Sequence, residues 1–183
     1  MTETKDLPAL FAATKVLIVD DEHYMRKVVR TLLISIGVRT IYEAPDGPSG
    51  LETIRTMAPD VVIVDWNMPG LDGASFVRMV RSPDTFPYPN VPIIMLTGHG
   101  DRARVIEAVK IGVNEFLLKP VSTKSLHNRL IAVLANPRPI VQSGLYYGPV
   151  PRNLAPAVQA RRNLAVTMHE DGDDALTTLV MLN

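Results

Sequence analysis

The sequence predicts an α/β protein built on a doubly wound sheet of five parallel strands in the order 2-1-3-4-5, followed by a mostly irregular C-terminal extension. Two observations lead to this prediction. Short aliphatic runs alternate with segments whose apolar residues recur at helical spacing, and five such pairs fit into about 120 residues. Alternation of this kind is typical of a parallel sheet covered by helices on both faces, and right-handed crossovers produce the doubly wound order.

Composition supports a folded core and excludes several classes of function. Hydrophobic residues make up 46% of the 183 residues, and the 19 basic residues equal the 19 acidic ones. A balanced charge gives no general attraction to nucleic acid or to an anionic membrane. The absence of cysteine excludes disulfides and thiol-based metal sites. No apolar run approaches a membrane span, and the N-terminus lacks the core of a signal peptide, so we expect a cytoplasmic protein.

The first two strand–helix pairs follow directly from these patterns. Residues 15–19 form a continuous aliphatic run, as expected for a strand buried on both faces. Apolar residues at helical spacing then predict a helix over 22–36, which ends before Gly37. The second strand is predicted at 40–44 and its helix at 46–57.

The third pair is the centre of the chain. Four aliphatic residues at 61–64 run directly into Asp65, which has no comfortable place inside a buried strand and is therefore placed at its carboxyl end. Pro69 and Gly70 predict a turn, and Asp72 is a suitable cap for a helix that extends to about residue 81.

The last two pairs complete a flavodoxin-like sheet. Four prolines within residues 82–92 predict a loop, because proline stops helices and weakens central strands. Strands are expected at 93–96 and 115–118, and helices at 101–111 and 122–134.

The domain organisation has three parts. Residues 1–13 form an N-terminal arm, residues 14–135 form the α/β domain, and residues 136–183 form the C-terminal extension. The extension is rich in proline at its start and is predicted to be partly ordered or to bind a partner. It holds too few basic residues for a nucleic-acid arm and is too short for a DNA-binding domain with its own core.

Polar residues stand at the predicted carboxyl ends of four strands. Asp20 and Asp21 follow the first strand, Asp65 the third, Thr97 the fourth and Lys119 the fifth. These strand ends share one edge of a parallel sheet, which is where ligands bind. Three clustered carboxylates repel one another, and a hard divalent cation such as Mg²⁺ or Mn²⁺ relieves that repulsion.

The remaining groups at this edge indicate phosphoryl chemistry. Lys119 supplies an ammonium, Thr97 a hydroxyl, and Gly98 a backbone N–H that is open to close approach. Together with a carboxylate nucleophile, such donors stabilise the oxygens of an incoming phosphoryl group.

The motifs VLIVDDE, VDWNMPGLDG, MLTG and FLLKP stand in this order at the strand ends. Over about residues 14–135 the sequence resembles the receiver domain of two-component response regulators, the CheY-like family, without a recognisable output domain after it. The resemblance implies that Asp65 accepts the phosphoryl group and that Phe116 occupies an aromatic switch position. It also implies Mg²⁺ ligation by Asp20, Asp21, Asp65 and the backbone carbonyl of Asn67, and phosphoryl binding or switching by Thr97, Gly98, Lys119 and Phe116.

The same resemblance implies a signalling role. A histidine kinase or a phosphotransfer protein would donate the phosphoryl group. The signal would then pass by protein–protein contact, to a target or by homodimerisation, through the face of the fourth helix, fifth strand and fifth helix. No enzymatic activity is implied beyond Mg²⁺-dependent self-phosphorylation and autodephosphorylation of Asp65.

Three other functions stay open from the residues alone. The first is a phosphorylation-independent scaffold, although the complete set of acids, Thr97 and Lys119 argues against it. The second is a DNA-binding regulator that acts through the few arginines of the extension. The third is an aspartyl phosphatase, which usually needs a general acid close after the nucleophile, where this chain has Asn67.

Overall fold

A central sheet of five parallel strands dominates the computed structural model, which describes residues 6–98 and 102–151. The strands are β1 (Lys15–Val19), β2 (Thr40–Ala44), β3 (Val61–Asp65), β4 (Ile93–Thr97) and β5 (Glu115–Leu118). Their order is β2-β1-β3-β4-β5, and every neighbouring pair is parallel, as predicted. All five carboxyl ends therefore lie along one edge of the sheet.

Six helices occur within the described ranges, and they cover both faces of this sheet. They are α1 (Leu7–Ala13), α2 (His23–Ile36), α3 (Gly47–Met57), α4 (Gly73–Val80), α5 (Arg102–Lys110) and α6 (Thr123–Leu134). The predicted caps are in place: Asp72 accepts a hydrogen bond from the Ser75 N–H at 2.7 Å, and Gly37 ends α2 with a positive φ of 109°.

The hydrophobic core is divided by the sheet into two layers because successive strand residues point to opposite faces. Leu17 and Val19 of β1 pack in the layer that contains α3, α4 and α5, with the fully buried Phe76 among them. Val16 and Ile18 pack in the other layer, beneath α1, α2 and α6. Strands buried on both faces explain why the sequence shows continuous aliphatic runs rather than alternation.

The structure adds elements at both ends of the α/β domain. Residues 6–13 of the predicted arm form helix α1, which is capped by Asp6 and buries Phe11 against the second layer; residues 1–5 lie outside the described part. The start of the predicted extension forms an antiparallel hairpin of β6 (Ile140–Ser143) and β7 (Tyr146–Pro149), which the sequence analysis did not anticipate. The remaining extension, from residue 152 onwards, also lies outside the described residues.

None of the described helices is both long enough and apolar enough to cross a bilayer.

Arg81, which follows α4, is a buried cation at the amino edge of the sheet. Its guanidinium donates to the carbonyls of Gly112 and Val91, both at 2.9 Å, and to Oδ1 of Asn114 at 2.8 Å. The same Asn114 oxygen accepts the N–H of Ile93, the first residue of β4. Burial lowers the pKa of Arg81 to about 10, which leaves the guanidinium charged at neutral pH. Arg81 thus ties the proline-rich loop to the starts of β4 and β5.

The network around Arg81 predicts a large cost for its removal. We expect Arg81→Met to lower the free energy of unfolding by about 3 kcal/mol, because the buried carbonyls of Gly112 and Val91 lose this donor and Oδ1 of Asn114 loses one of two donors. Urea denaturation measures this loss. The matched control is Arg78→Met, one turn earlier, whose exposed side chain forms only a surface ion pair with Glu107 at 3.0 Å. The control should change stability by no more than about 0.5 kcal/mol, and equal losses in both variants would contradict the assignment.

Candidate functional site

Three carboxylates converge at the carboxyl edge of the sheet. Asp20 follows β1 and is fully buried, Asp21 beside it is exposed, and Asp65 is the buried last residue of β3. One oxygen from each carboxylate lies within 4.8 Å of the others. The sequence analysis placed these acids together from strand topology alone, and the structure brings them to one point.

Lys119 bridges two of these acids from the end of β5. Its Nζ lies 2.8 Å from Oδ1 of Asp65 and 3.3 Å from Oδ2 of Asp20. The second oxygen of Asp65, Oδ2, accepts the backbone N–H of Asn67 at 3.0 Å. Both oxygens of the Asp65 carboxylate therefore have hydrogen-bond partners, which fix the orientation of the carboxylate at the carboxyl edge of the sheet.

The electrostatics of this cluster depend on burial as much as on charge. Burial raises the pKa of Asp65, and the neighbouring charge of Asp20 adds to this effect, while Lys119 opposes it. Burial alone would lower the pKa of Lys119, but its hydrogen bond to Asp65 and the charges of both acids raise it overall. Lys119 thus remains an ammonium at neutral pH, yet a single positive charge cannot balance three carboxylates.

The donor set fits a hard divalent cation. Carboxylate oxygens that lie close together, with one member exposed to solvent, match the oxygen-rich and partly hydrated coordination that Mg²⁺ prefers. The structure contains no sulfur or imidazole ligand in this group, which argues against a site selective for a softer metal. Asn67, whose backbone carbonyl the sequence analysis added to the ligands, follows Asp65 by two residues.

Thr97 and Gly98 lie on the adjoining strand end. Thr97 is the buried last residue of β4, one position beyond Leu96, which pairs with Asp65 in the register. Its carbonyl accepts the backbone N–H of Lys119 at 2.8 Å, which joins the ends of β4 and β5. Gly98 is exposed, and no atom of the described residues lies within 4 Å of the position a side chain would occupy. Within the described part of the chain, nothing therefore obstructs a ligand at this position.

Phe116, the predicted switch residue, lies in β5 on the side of α5. It is half-buried and lines a small apolar cavity together with Thr97, Trp66 and Arg104. Phe116 carries no hydroxyl, so it can change rotamer without giving up a hydrogen bond. The structure therefore places Phe116 and Thr97 on the wall of the same cavity.

The turn after β3 leaves no room for a side chain at Gly73. A Cβ at this position would lie 2.2 Å from the carbonyl oxygen of Asp65 and 2.9 Å from Cα of Trp66. The Gly73 N–H also donates to the carbonyl of Trp66 at 2.9 Å. The first residue of α4 is thus packed against the backbone that carries Asp65, so the glycine is required by close approach.

Two arginines at the site were missed by the sequence analysis. Arg26 of α2 donates to the backbone carbonyls of Asp20 and Asp21, and Arg104 of α5 stacks over Trp66 and donates to Oδ1 of Asn67 at 3.3 Å. Arginine on a helix is usually solvated, and no local pattern distinguishes these two from their neighbours. The one available signal was the place of Arg26 in the first turn of the helix that follows the acids.

The chain is similar in sequence to known proteins. A family model described as the response regulator receiver domain matches residues 16–131. The chemotaxis protein CheY1 of Helicobacter pylori is 39% identical over 121 residues, which cover 66% of this chain and 96% of that protein.

Solved structures give the same result for the fold. The chemotaxis protein CheY4 of Vibrio cholerae has 34% sequence identity and a TM-score of 0.61, covering 66% of this chain and 98% of that one. A CheX–CheY–BeF₃–Mg²⁺ complex from Borrelia burgdorferi contains a similar chain with 26% identity and a TM-score of 0.60, covering 66% of this chain and 88% of that one.

The close approach at Gly73 yields the first prediction for the site. Gly73→Ala should lower the free energy of unfolding by about 2 kcal/mol, because the added methyl group collides with backbone that cannot rotate away. Gly98→Ala is the matched control, since its added methyl group meets none of the described atoms, and it should change stability by no more than about 0.5 kcal/mol. Chemical denaturation of both variants decides the matter, and a neutral Gly73→Ala would contradict the packing described here.

The bridge made by Lys119 yields the second prediction, for protein in EDTA. Lys119→Met should lower the free energy of unfolding by about 3 kcal/mol near pH 7.5, because two buried carboxylates lose their counter-charge. The loss should shrink near pH 5. A carboxyl pKa raised by folding contributes stability below the unfolded pKa, and this contribution is lost as the pH rises through the folded pKa.

The control for this prediction is Lys124→Met, which removes an exposed lysine from α6. Urea denaturation at both pH values should show little change in the control. A Lys119→Met loss that is independent of pH would show that the side chain stabilises the fold through packing rather than through its charge.

Proposed function

Because this chain belongs to the family of response regulator receiver domains, we propose that it accepts a phosphoryl group on Asp65 from a histidine kinase or a phosphotransfer protein. The chain is a CheY-like receiver of two-component signalling, and the proposal concerns the residue that is modified and the consequence. The observation that supports it best is the Asp65 carboxylate, buried at the sheet edge beside two further acids and held by Lys119 at 2.8 Å.

In the proposed transfer, one carboxylate oxygen of Asp65 attacks the phosphorus atom of the donor. The new O–P bond forms as the bond from phosphorus to the donor's histidine nitrogen breaks, and the electron pair of that bond returns to the nitrogen. Asp65 must be ionised to act as the nucleophile, and the Lys119 ammonium favours this form against the effect of burial. The phosphoryl oxygens then accept hydrogen bonds from Lys119, from the Thr97 hydroxyl and from the Gly98 N–H.

We further propose that the carboxylates of Asp20, Asp21 and Asp65, together with the backbone carbonyl of Asn67, hold Mg²⁺, or Mn²⁺ in its place. When bound, the cation supplies the positive charge that allows an anionic acceptor and an anionic phosphoryl group to approach each other. The chain's own contribution is to hold the Asp65 carboxylate between Lys119 and the Asn67 N–H, with Asp20 and Asp21 beside it. No other substrate is turned over in this proposal.

The proposed output is contact with another protein in the cytoplasm. Phosphorylation would draw Thr97 toward the new oxygens, and Phe116 would move further into the cavity that the two residues share. The affected face consists of α5, β5 and α6, which are the predicted fourth helix, fifth strand and fifth helix. It would bind a target protein or a second copy of the chain. A similar chain from Borrelia burgdorferi has been crystallised with CheX, BeF₃ and Mg²⁺, which supports a protein partner rather than a nucleic acid.

The decisive experiment is labelling with acetyl phosphate and MgCl₂, followed by measurement of the intact mass. The wild-type protein should gain a single phosphoryl adduct, and Asp65→Asn should gain none, because an amide is not a nucleophile for this step. EDTA should abolish labelling of the wild type. The matched control is Asp60→Asn, just before the opposite end of the same strand, where the carboxylate only accepts the Lys15 N–H at 2.8 Å.

Two results would overturn the proposal. Labelling of Asp65→Asn would place the phosphoryl group elsewhere. A folded wild-type protein that binds Mg²⁺ but is not labelled, either by acetyl phosphate or by a set of purified histidine kinases, would favour a scaffold that works without phosphorylation.

A further inference from the structure

Arg26 lies in the first turn of α2 and reaches back to the turn that carries two of the three acids. Its Nη1 donates to the carbonyl of Asp20 at 2.7 Å and to the carbonyl of Asp21 at 3.3 Å. Only 12% of its side chain is exposed. A guanidinium nitrogen has two hydrogens, so a single nitrogen can serve both carbonyls and fix the distance between them.

The guanidinium of Arg26 is itself anchored from two other sides. Its Nε lies 3.6 Å from Oε2 of Glu43 in β2, and its Nη2 lies 3.2 Å from Nδ1 of His23. Glu43, which also pairs with Arg30, offsets only part of the positive charge of Arg26. The hydrogen bonds of Arg26 to the acidic turn go to backbone carbonyls, so it acts on the acids through the geometry of the backbone.

The turn that Arg26 holds has few other restraints. The Asp20 N–H donates to the carbonyl of Ala44 at 3.2 Å, and Oδ1 of Asp20 accepts the Glu22 N–H at 2.8 Å. Neither of these bonds involves Asp21, and among the described residues the donor to the Asp21 carbonyl is Nη1 of Arg26. A small rotation of this peptide would move the Asp21 carboxylate away from Asp65.

We infer that Arg26 is a positioning residue of the metal site: it sets the backbone of Asp20 and Asp21 and thereby the affinity for Mg²⁺. This inference rests on the proposed function, because it assigns Mg²⁺ to the same acids. Arg26 contacts neither the cation nor the phosphoryl group, and it acts only through the two carbonyls. Residues that hold metal ligands in place without touching the metal typically change the metal affinity by about 10- to 100-fold when they are removed.

The chain provides a matched control on the same helix. Arg30, one turn later, also pairs with Glu43, at 3.1 Å, but its other contact is the carbonyl of Ile41 rather than the acidic turn. Arg26→Met and Arg30→Met each remove one guanidinium from the same carboxylate. The two variants therefore differ in whether the carbonyls of Asp20 and Asp21 lose their donor.

The test measures Mg²⁺ affinity and the rate of labelling by acetyl phosphate in the same protein samples. Calorimetric titration with MgCl₂ should give a Kd about tenfold weaker for Arg26→Met than for the wild type, and an almost unchanged Kd for Arg30→Met. The Mg²⁺ concentration for half-maximal labelling should rise by the same factor, while the labelling rate at saturating Mg²⁺ should stay within about twofold. A general loss of fold would instead lower that plateau rate. Arg26→Lys retains the positive charge and one donor nitrogen, so its Kd for Mg²⁺ should lie between those of the wild type and Arg26→Met.

The remaining outcomes are decisive as well. Equal Mg²⁺ affinity of Arg26→Met and Arg30→Met would overturn the inference, and so would tighter binding by Arg26→Met, which would show that repulsion by its charge dominates. If Arg26→Met does not fold, wild-type affinity in Arg26→Lys would overturn it. A folded wild-type protein that binds no Mg²⁺ would overturn the proposed metal site together with this inference, whereas labelling that fails despite Mg²⁺ binding would count against the proposed phosphoryl transfer alone.

Discussion

The structure depends on the way in which one ammonium group holds two buried carboxylates at the end of a parallel sheet. Asp20 and Asp65 are both taken out of water by the strands that carry them, and isolated charges in such a place would be costly. Lys119 reaches both from β5, with Nζ–O distances of 3.3 and 2.8 Å. The exposed Asp21 leaves the group with excess negative charge on its solvent side. The site is therefore stable enough to fold and still has an electrostatic demand for a cation.

Each edge of the sheet contains a cation, the buried Arg81 or the partly buried Lys119, and the partners of the two cations differ in kind. At the amino edge, Arg81 donates to backbone carbonyls and to a neutral amide, none of which can change its charge. At the carboxyl edge, Lys119 is paired with carboxylates that can ionise, bind metal or, in the proposed function, become phosphorylated. The first arrangement is a fixed structural clamp. The Lys119 ammonium can exchange its partners. This difference explains how one sheet combines a rigid amino edge with a reactive carboxyl edge.

The same contrast extends to the elements around Asp65. Gly73 is packed so closely against the backbone of Asp65 that the start of α4 cannot move independently of the site. On the side of α5, by contrast, Phe116 and Thr97 line an apolar cavity, while Arg104 stacks over Trp66 and donates to Oδ1 of Asn67 at 3.3 Å. A change at Asp65 would therefore be transmitted more easily toward α5 than toward α4. This asymmetry agrees with the proposed output face of α5, β5 and α6.

The sequence by itself determined the sheet, its strand order and the set of polar residues at its carboxyl edge. Strand 15–19 has the predicted bounds, because burial on both faces imposes an aliphatic run that a local pattern reveals. Only the tertiary structure decided the remaining features: the clamp of Arg81, the contact of Arg26 with the acidic turn, the hairpin at 140–149 and the steric need for Gly73. The physical reason is the distance along the chain between the residues that determine each feature. Periodicity records which face of an element is buried, whereas the partner of a long side chain, or the backbone that passes beside a glycine, is set by packing between distant segments.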